Sequence, residues 1–272
     1  MDTQALEDPI RNAANGHPGS GCAATGCADA APESTLSIEG ERGHGHALDR
    51  WRMRPPVKVR TIQLTPGRGQ ESDLYDQADG WLGVLIMEGL ILVELDAERG
   101  KAGWLVGADD LLRPWEMDEV PLLSERSWRV LTPTRLALLD RDFAERASGD
   151  PEIWTWSLAR LAQTTHWLLA KTLVISSPAV EERLALLFTL LAERWGRVTP
   201  QGIRLDLPLT HTVLARMVGA RRPTVSVALK TLETQGQLIR AADRGYMLRH
   251  ADAAYRRAEG GCWSRCTLAL GL

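Results

Sequence analysis

A chain of 272 residues has room for one large domain or two ordinary ones, and for a sizeable buried core. Its composition, 44% hydrophobic and 25% charged, is that of a soluble globular protein, and no uninterrupted apolar run nears the ~18 residues that a membrane span requires. Asp2, Glu7 and Asp8 stand where a secretory signal would be basic and apolar, so a cytoplasmic chain with no membrane partner is expected.

Net charge is −3, which by itself disfavours a nucleic-acid binder, but the charge is unevenly spread. Between Ile203 and Arg257 ten basic residues face four acidic ones, a balance of +6 that leaves −9 for the rest. A basic module on an acidic body is the footprint of a DNA-binding domain joined to something else.

Residues 1–50 are rich in Ala, Gly, Pro, Ser and Asp with few large hydrophobes, and an unstructured segment is expected there. His44 and His46 resemble the start of a cupin metal motif, but no Glu follows them, so no metal is expected. The cysteines fall near the two ends, as Cys22 with Cys27 and Cys262 with Cys266. Neither pair is a CxxC, and free reduced thiols are expected rather than a metal or cluster site.

From residue 51 to 148 the signals are short strands between Gly, Pro and acidic turns, which suggests a sandwich or barrel. Val57 to Leu64 alternates. Trp81 to Met87 and Leu90 to Leu95 read as a hairpin turning at Glu88-Gly89. Lys101–Val106, Trp128–Thr132 and Arg135–Asp140 supply three further strands. No His lies between Val57 and Asp140, so a metal-dependent enzyme on a cupin-like barrel is disfavoured and no catalytic residue is assigned. Trp81, Trp104, Trp115 and Trp128 read either as core or as the wall of a ligand pocket.

Residues 149–177 turn helical, with Trp154, Leu158, Leu161, Thr165, Leu168 and Thr172 at intervals of three and four. A long helix with so narrow a stripe is suited to pairing with its own copy, giving a homodimer through residues 151–175; the alternative is packing on the β-domain. A further helix is expected from Pro178 to Gly196.

Residues 178–256 carry the strongest signal, in the string from Leu209 to Ile239. Thr210 is a good N-cap, Leu214, Met217 and Val218 give the inner face of a short helix, and Gly219 supplies a turn at positive φ. A second helix follows from about Arg222 to Gln235, with Pro223 in its first turn and Val225, Ala228, Leu229 and Leu232 inward. Two short helices about a Gly turn make a helix-turn-helix, whose second helix enters the major groove. At 100° per residue Pro223, Ser226, Val227, Lys230 and Thr234 lie opposite the buried side, with Arg222 at the flank. Arg222 is the expected reader of guanine, with Ser226 beside it and Pro223 and Val227 on thymine methyls. Thr210, His211, Arg221 and Lys230 are expected on phosphates, and Thr224 completes the DNA-facing set. Gln237–Arg240 and Tyr246–Arg249 then form a wing with Arg244 at its tip, and residues 257–272 are a tail.

This order of parts resembles the Crp/Fnr family of transcription regulators over roughly residues 57–250. The likeness is carried by Leu209-Thr210, Val218-Gly219, Arg222, Thr224-Val225, Leu229-Lys230 and Leu232-Glu233, by the segment Trp104–Leu112, and by Leu131–Asp140. It implies an α+β fold: an N-terminal β-roll of the cyclic-nucleotide-binding type, a long dimerisation helix and a C-terminal winged helix-turn-helix. The partners it implies are double-stranded DNA, a second copy, RNA polymerase and a small-molecule effector, with Gly107, Asp109, Arg113 and Trp115 as effector-site candidates. Two departures bear on specificity. Gly107 is followed by Ala108-Asp109-Asp110 where the family's nucleotide binders have Gly-Glu-hydrophobic-small, which disfavours cyclic AMP. Pro223 and Val227 replace a Glu and a second Arg on the reading helix, so an operator read more through methyl contacts is expected. A sensor that does not itself bind DNA is the alternative.

Overall fold

The computed structural model describes residues 33–36, 57–69, 82–98, 100–113, 125–241 and 245–249. The N-terminal half is an antiparallel seven-stranded sheet built from β1 (Glu33–Leu36), β2 (Val57–Leu64), β3 (Gly67–Gly69), β4 (Gly83–Ala97), β5 (Gly100–Gly107), β6 (Leu111–Leu112) and β7 (Glu125–Leu139). Its order is β1-β2-β7-β4-β5, with β3 on β7 and β6 on β4. Strand β1 lies inside the segment expected to be unstructured. The Ser-Thr-Leu run there suits a strand, and the free edge of β2 gives it a ladder, Glu33 opposite Arg60 through Leu36 opposite Val57.

The expected hairpin at Glu88-Gly89 is not formed. Strand β4 runs unbroken through it for 15 residues, and Gly89, at φ +98°, sits in a bulge instead. A Cβ on Gly89 would lie 2.3 Å from the Thr134 hydroxyl and 2.6 Å from the Pro133 carbonyl, which only glycine tolerates. The two strands expected at Trp128–Thr132 and Arg135–Asp140 are likewise one, because Pro133, which has no N–H to give, falls opposite the same irregularity.

The bulge decides which side chains face what. Across it β4 advances five residues, Ile86 to Ile91, while β7 advances six, Leu136 to Val130, and that odd step inverts the two-residue alternation of β4. Val84 and Ile86 are therefore continued on their face by Ile91 and Val93, which share a core with Val106, Trp128, Val130, Leu136 and Leu138. Leu85 on the other face packs with Phe143, Ile153 and Trp156, and that face is continued by Leu90 and Leu92. Trp128 is thus core and Trp104 is packed at its margin; Trp81 and Trp115 lie outside the described residues.

Three helices lead out of the sheet. Helix α1 (Arg141–Ala147) starts where the Asp140 carboxylate accepts from Phe143 N, and α2 (Pro151–Ser176) where Asp150 accepts from Glu152 N. Helix α3 (Val180–Trp195) buries Leu184, Leu187, Phe188 and Leu191. Beyond it come β8 (Arg197–Thr199), β9 (Gly202–Leu205), α4 (His211–Val218), α5 (Arg222–Thr234), β10 (Leu238–Arg240) and β11 (Tyr246–Leu248). The last four strands form one antiparallel sheet ordered β10-β11-β9-β8, so the wing hairpin is extended by a second hairpin that no sequence pattern marks. Each of β8 and β9 is too short to show a period.

Leu90, Leu92 and Leu105 of the β-roll share a single core with α3, both helices of the helix-turn-helix, β9 and the wing. Burying one such side chain contributes roughly 1.5–3 kcal/mol. Among the described residues no helix is long and apolar enough to cross a membrane.

Candidate nucleic-acid interface

Helix α4 begins as its sequence predicts: Thr210 has extended backbone and its hydroxyl accepts from Val213 N at 3.2 Å. It ends at Gly219, whose φ of +63° and ψ of +39° are left-handed, with the Gly219 N–H returned to the Ala215 carbonyl. Leu214 and Val218 are fully buried and Met217 nearly so. Inside α5, Val225, Ala228, Leu229 and Leu232 are the buried residues, so the predicted inner face and its opposite are both in place.

On the outer side Arg221, Arg222, Pro223, Thr224, Val227 and Lys230 are exposed, while Ser226 is partly covered. Val227, at 65% exposure, is a large apolar side chain left in water. No side chain caps α5, whose N-cap is Arg221. With Pro223 in the first turn one orphan donor is removed, and the remaining first-turn amides are left for water or an anion.

His211 and Ser226 are joined across the two helices, Nδ1 to Oγ, at 2.8 Å. The same hydroxyl donates to the Arg222 carbonyl at 3.0 Å. With its single hydrogen given there, Oγ accepts from Nδ1–H and Nε2 carries the lone pair. Ser226 is thereby engaged with both His211 and the Arg222 carbonyl. Burial, then the positive fields of Arg240 and Arg222, hold the His211 imidazole below its ordinary range. Arg240 is exposed on β10, and Arg244 at the wing tip lies outside the described residues.

The β-roll side of the helix-turn-helix carries a charged cluster that no motif announced. Beyond Leu90 and Leu92 the same face of β4 presents Glu94 and Asp96, and α4 lays Arg216 across both. Arg216 Nε is 3.3 Å from Glu94, which is 2% exposed, and its other arm pairs with Asp96. Arg129 and Lys101 approach the same carboxylates from β7 and β5, at 3.3 and 2.8 Å. Burial raises the Asp96 carboxyl, but hydrogen bonds from Lys101 and Arg216 outweigh it and hold the group below its usual range. Gly103 lies under this contact, and a Cβ there would come within 3.0 Å of the Val93 carbonyl and 3.3 Å of Arg216 Cβ. Lys171 of α2 donates to the Gly103 carbonyl at 2.5 Å, and burial pushes its amine down to about 8.

Gly107 ends β5 with its N–H bonded to Asp110 at 2.7 Å, Asp109 is exposed beyond it, Arg113 follows β6, and Trp115 lies outside the described residues. Among the described residues no group of three or more His, Cys, Asp or Glu could hold a metal ion; His44, His46 and the four cysteines lie outside them.

Residues 182–253 match the family model of the Crp-like helix-turn-helix domain. Among solved structures the chain is similar to a CooA mutant from Carboxydothermus hydrogenoformans, at 21% identity over 75% of this chain and 88% of that one, with a TM-score of 0.55. It is similar to a cyclic nucleotide-binding domain containing protein from Listeria monocytogenes EGD-e at 21% identity, 70% and 88% coverage and a TM-score of 0.56. For FixK2 from Bradyrhizobium japonicum the values are 16%, 76% and 99%, and 0.54. At such identities the likeness establishes the fold, a β-roll joined to a helix-turn-helix. No curated protein matches the chain in sequence.

Proposed function

We infer that this chain is a DNA-binding transcription regulator of the Crp/Fnr type, a Crp-like helix-turn-helix carried on a β-roll. The observation that carries the reading is the outer face of α5, which leaves Arg222, Pro223, Thr224, Val227 and Lys230 in solvent beside an uncapped helix N-terminus. Such a helix fits the major groove with its first turn toward the bases. Arg222 reads guanine through its fork or grips the adjacent phosphate, and Pro223 and Val227 meet thymine methyls. Thr210, His211, Arg221, Thr224, Lys230 and Arg244 set the register on phosphates, and Ser226 acts with His211.

The regulator works as a homodimer through α2. Trp154, Leu158, Leu161, Thr165, Leu168, Thr172 and Ile175 repeat at alternating steps of four and three, a heptad seam. Leu158, Leu168 and Ile175 on that seam are exposed, with Leu169 and Leu173 beside them, at odds with the inward residues Ile153, Trp156 and Val174. A two-fold pair would set two α5 helices on half-sites one helical turn, ~34 Å, apart.

Fluorescence anisotropy with a duplex selected by the protein from a random library tests the reading. Binding that weakens steeply with salt is expected, and no binding at low salt would overturn it. Sedimentation of a Leu158→Lys, Leu168→Lys chain tests the seam: a monomer with an intact circular dichroism spectrum is expected, and a persistent dimer removes α2 as the interface.

A further inference from the structure

The turn that follows β5 is closed by the chain itself. Its backbone is fixed by three hydrogen bonds, Asp109 N to Ile86 O at 2.8 Å, Ile86 N to Asp110 O at 2.9 Å and Asp110 N to Gly107 O at 3.0 Å. Asp109 takes φ +73°, a conformation that Asp tolerates better than most residues. The Gly107 amide, which such a turn offers to an anion, donates instead to Asp110 Oδ2 at 2.7 Å.

The Asp110 side chain is 3% exposed and has a second partner from the other half of the molecule. Arg194, in the last turn of α3 and within the helix-turn-helix match, reaches it at 2.8 Å and also donates to the Ala108 carbonyl at 3.2 Å. The guanidinium is itself mostly buried, lying 4.4 Å from the ring centre of Trp195 and 5.3 Å from that of Trp167. Trp195 presses on the turn as well, since a Cβ on Gly107 would meet its ring at 3.3 Å. Asp109, on the outside, is 3.9 Å from Arg160 of α2. One four-residue turn thus touches the sheet, the long helix and the DNA-binding domain.

We propose that this turn carries its anion internally: the Asp110 carboxylate holds the Gly107 amide on one side and Arg194 of the DNA-binding domain on the other, so that the turn has no donor left for an added anion. The placement of the helix-turn-helix on the β-roll is then set by the Asp110–Arg194 pair, with no added anion at the turn. The proposal rests on the reading of that domain as the DNA-binding half, but its test does not need DNA.

Hydrogen exchange and thermal unfolding of the full chain are measured with and without cyclic AMP, cyclic GMP and cyclic di-GMP at about 1 mM, a concentration that would reveal even weak binding. Neither exchange over 105–112 nor the Tm of the wild type changes. Asp110→Asn and Arg194→Lys keep shape or charge but break the pair, and each raises amide exchange about tenfold in the turn and in the facing ends of α3 and α4, equal to ~1.4 kcal/mol of opening free energy. A nucleotide that protects the turn in the wild type overturns the proposal, as do variants whose α3 and α4 exchange stays at the wild-type rate. Failure of the DNA-binding reading would show separately, as absent duplex binding with these exchange results intact.

Discussion

The outer face of α5 and the turn at Gly107–Asp110 are built from similar materials, arginines beside backbone donors, and are left in opposite states. On α5, Arg221 and Arg222 stand exposed at a helix end that no side chain caps. At the turn, Arg194 is buried, Asp110 is buried against it, and the Gly107 amide is consumed. Polar groups already satisfied inside the fold have little left to give a ligand, whereas those held open by the fold can exchange water for phosphate or base at modest cost. On the proposed reading, recognition belongs to the helix-turn-helix and the β-roll turn has a supporting part.

The largest effect tests the scaffold under the open face. Leu214→Ala deletes a fully buried side chain from the core shared by α3, α4 and α5, and a loss of about 2–5 kcal/mol is expected in urea unfolding. An unchanged midpoint would show that this core does not hold the interface. Arg222→Ala comes next, weakening binding to the selected duplex by about 1–3 kcal/mol and relaxing one base position. Arg221→Ala should instead lower affinity evenly across sequences and reduce the salt slope by about one unit. If the two variants behave alike, Arg222 is a phosphate contact and the contrast loses its sharpest member. Removing the cap with Thr210→Ala costs about 1 kcal/mol of stability, read by thermal unfolding.

The smallest effect is pH-dependent. His211 titrates below its ordinary value in the folded chain, so its contribution to stability is present above the unfolded value of about 6.5 and is lost as pH falls through the folded one. A DNA phosphate near Nε2 favours the imidazolium, so duplex binding should tighten between about pH 7.5 and about pH 6 with uptake of up to one proton. His211→Gln should abolish that increment in anisotropy titrations. An identical pH profile in the variant would place the ring away from phosphate.

Much of the helix-turn-helix was legible because each of its devices is local. Thr210 caps its own helix, Gly219 takes its own positive φ, and Val225, Ala228, Leu229 and Leu232 share a face by helical period alone. The β-roll was less so. Glu88-Gly89 carries the signature of a hairpin, and only the approach of Pro133 and Thr134 from β7 turns that glycine into a bulge within a continuous strand. The missed charges follow from this: Glu94 and Asp96 look like ordinary alternating polar residues until the bulge inverts their facing.

By itself the sequence determined the class of the chain, the order of its parts, and the second helix of the helix-turn-helix with Arg222 at its start, since periodicity, capping and charge act within a few residues of one another. Tertiary structure alone decided that Arg216 meets Glu94 and Asp96 and that Arg194 meets Asp110, pairs separated by 84 to 122 positions along the chain. No local pattern specifies such contacts, because each depends on which face a distant strand presents, and here one glycine bulge sets that face.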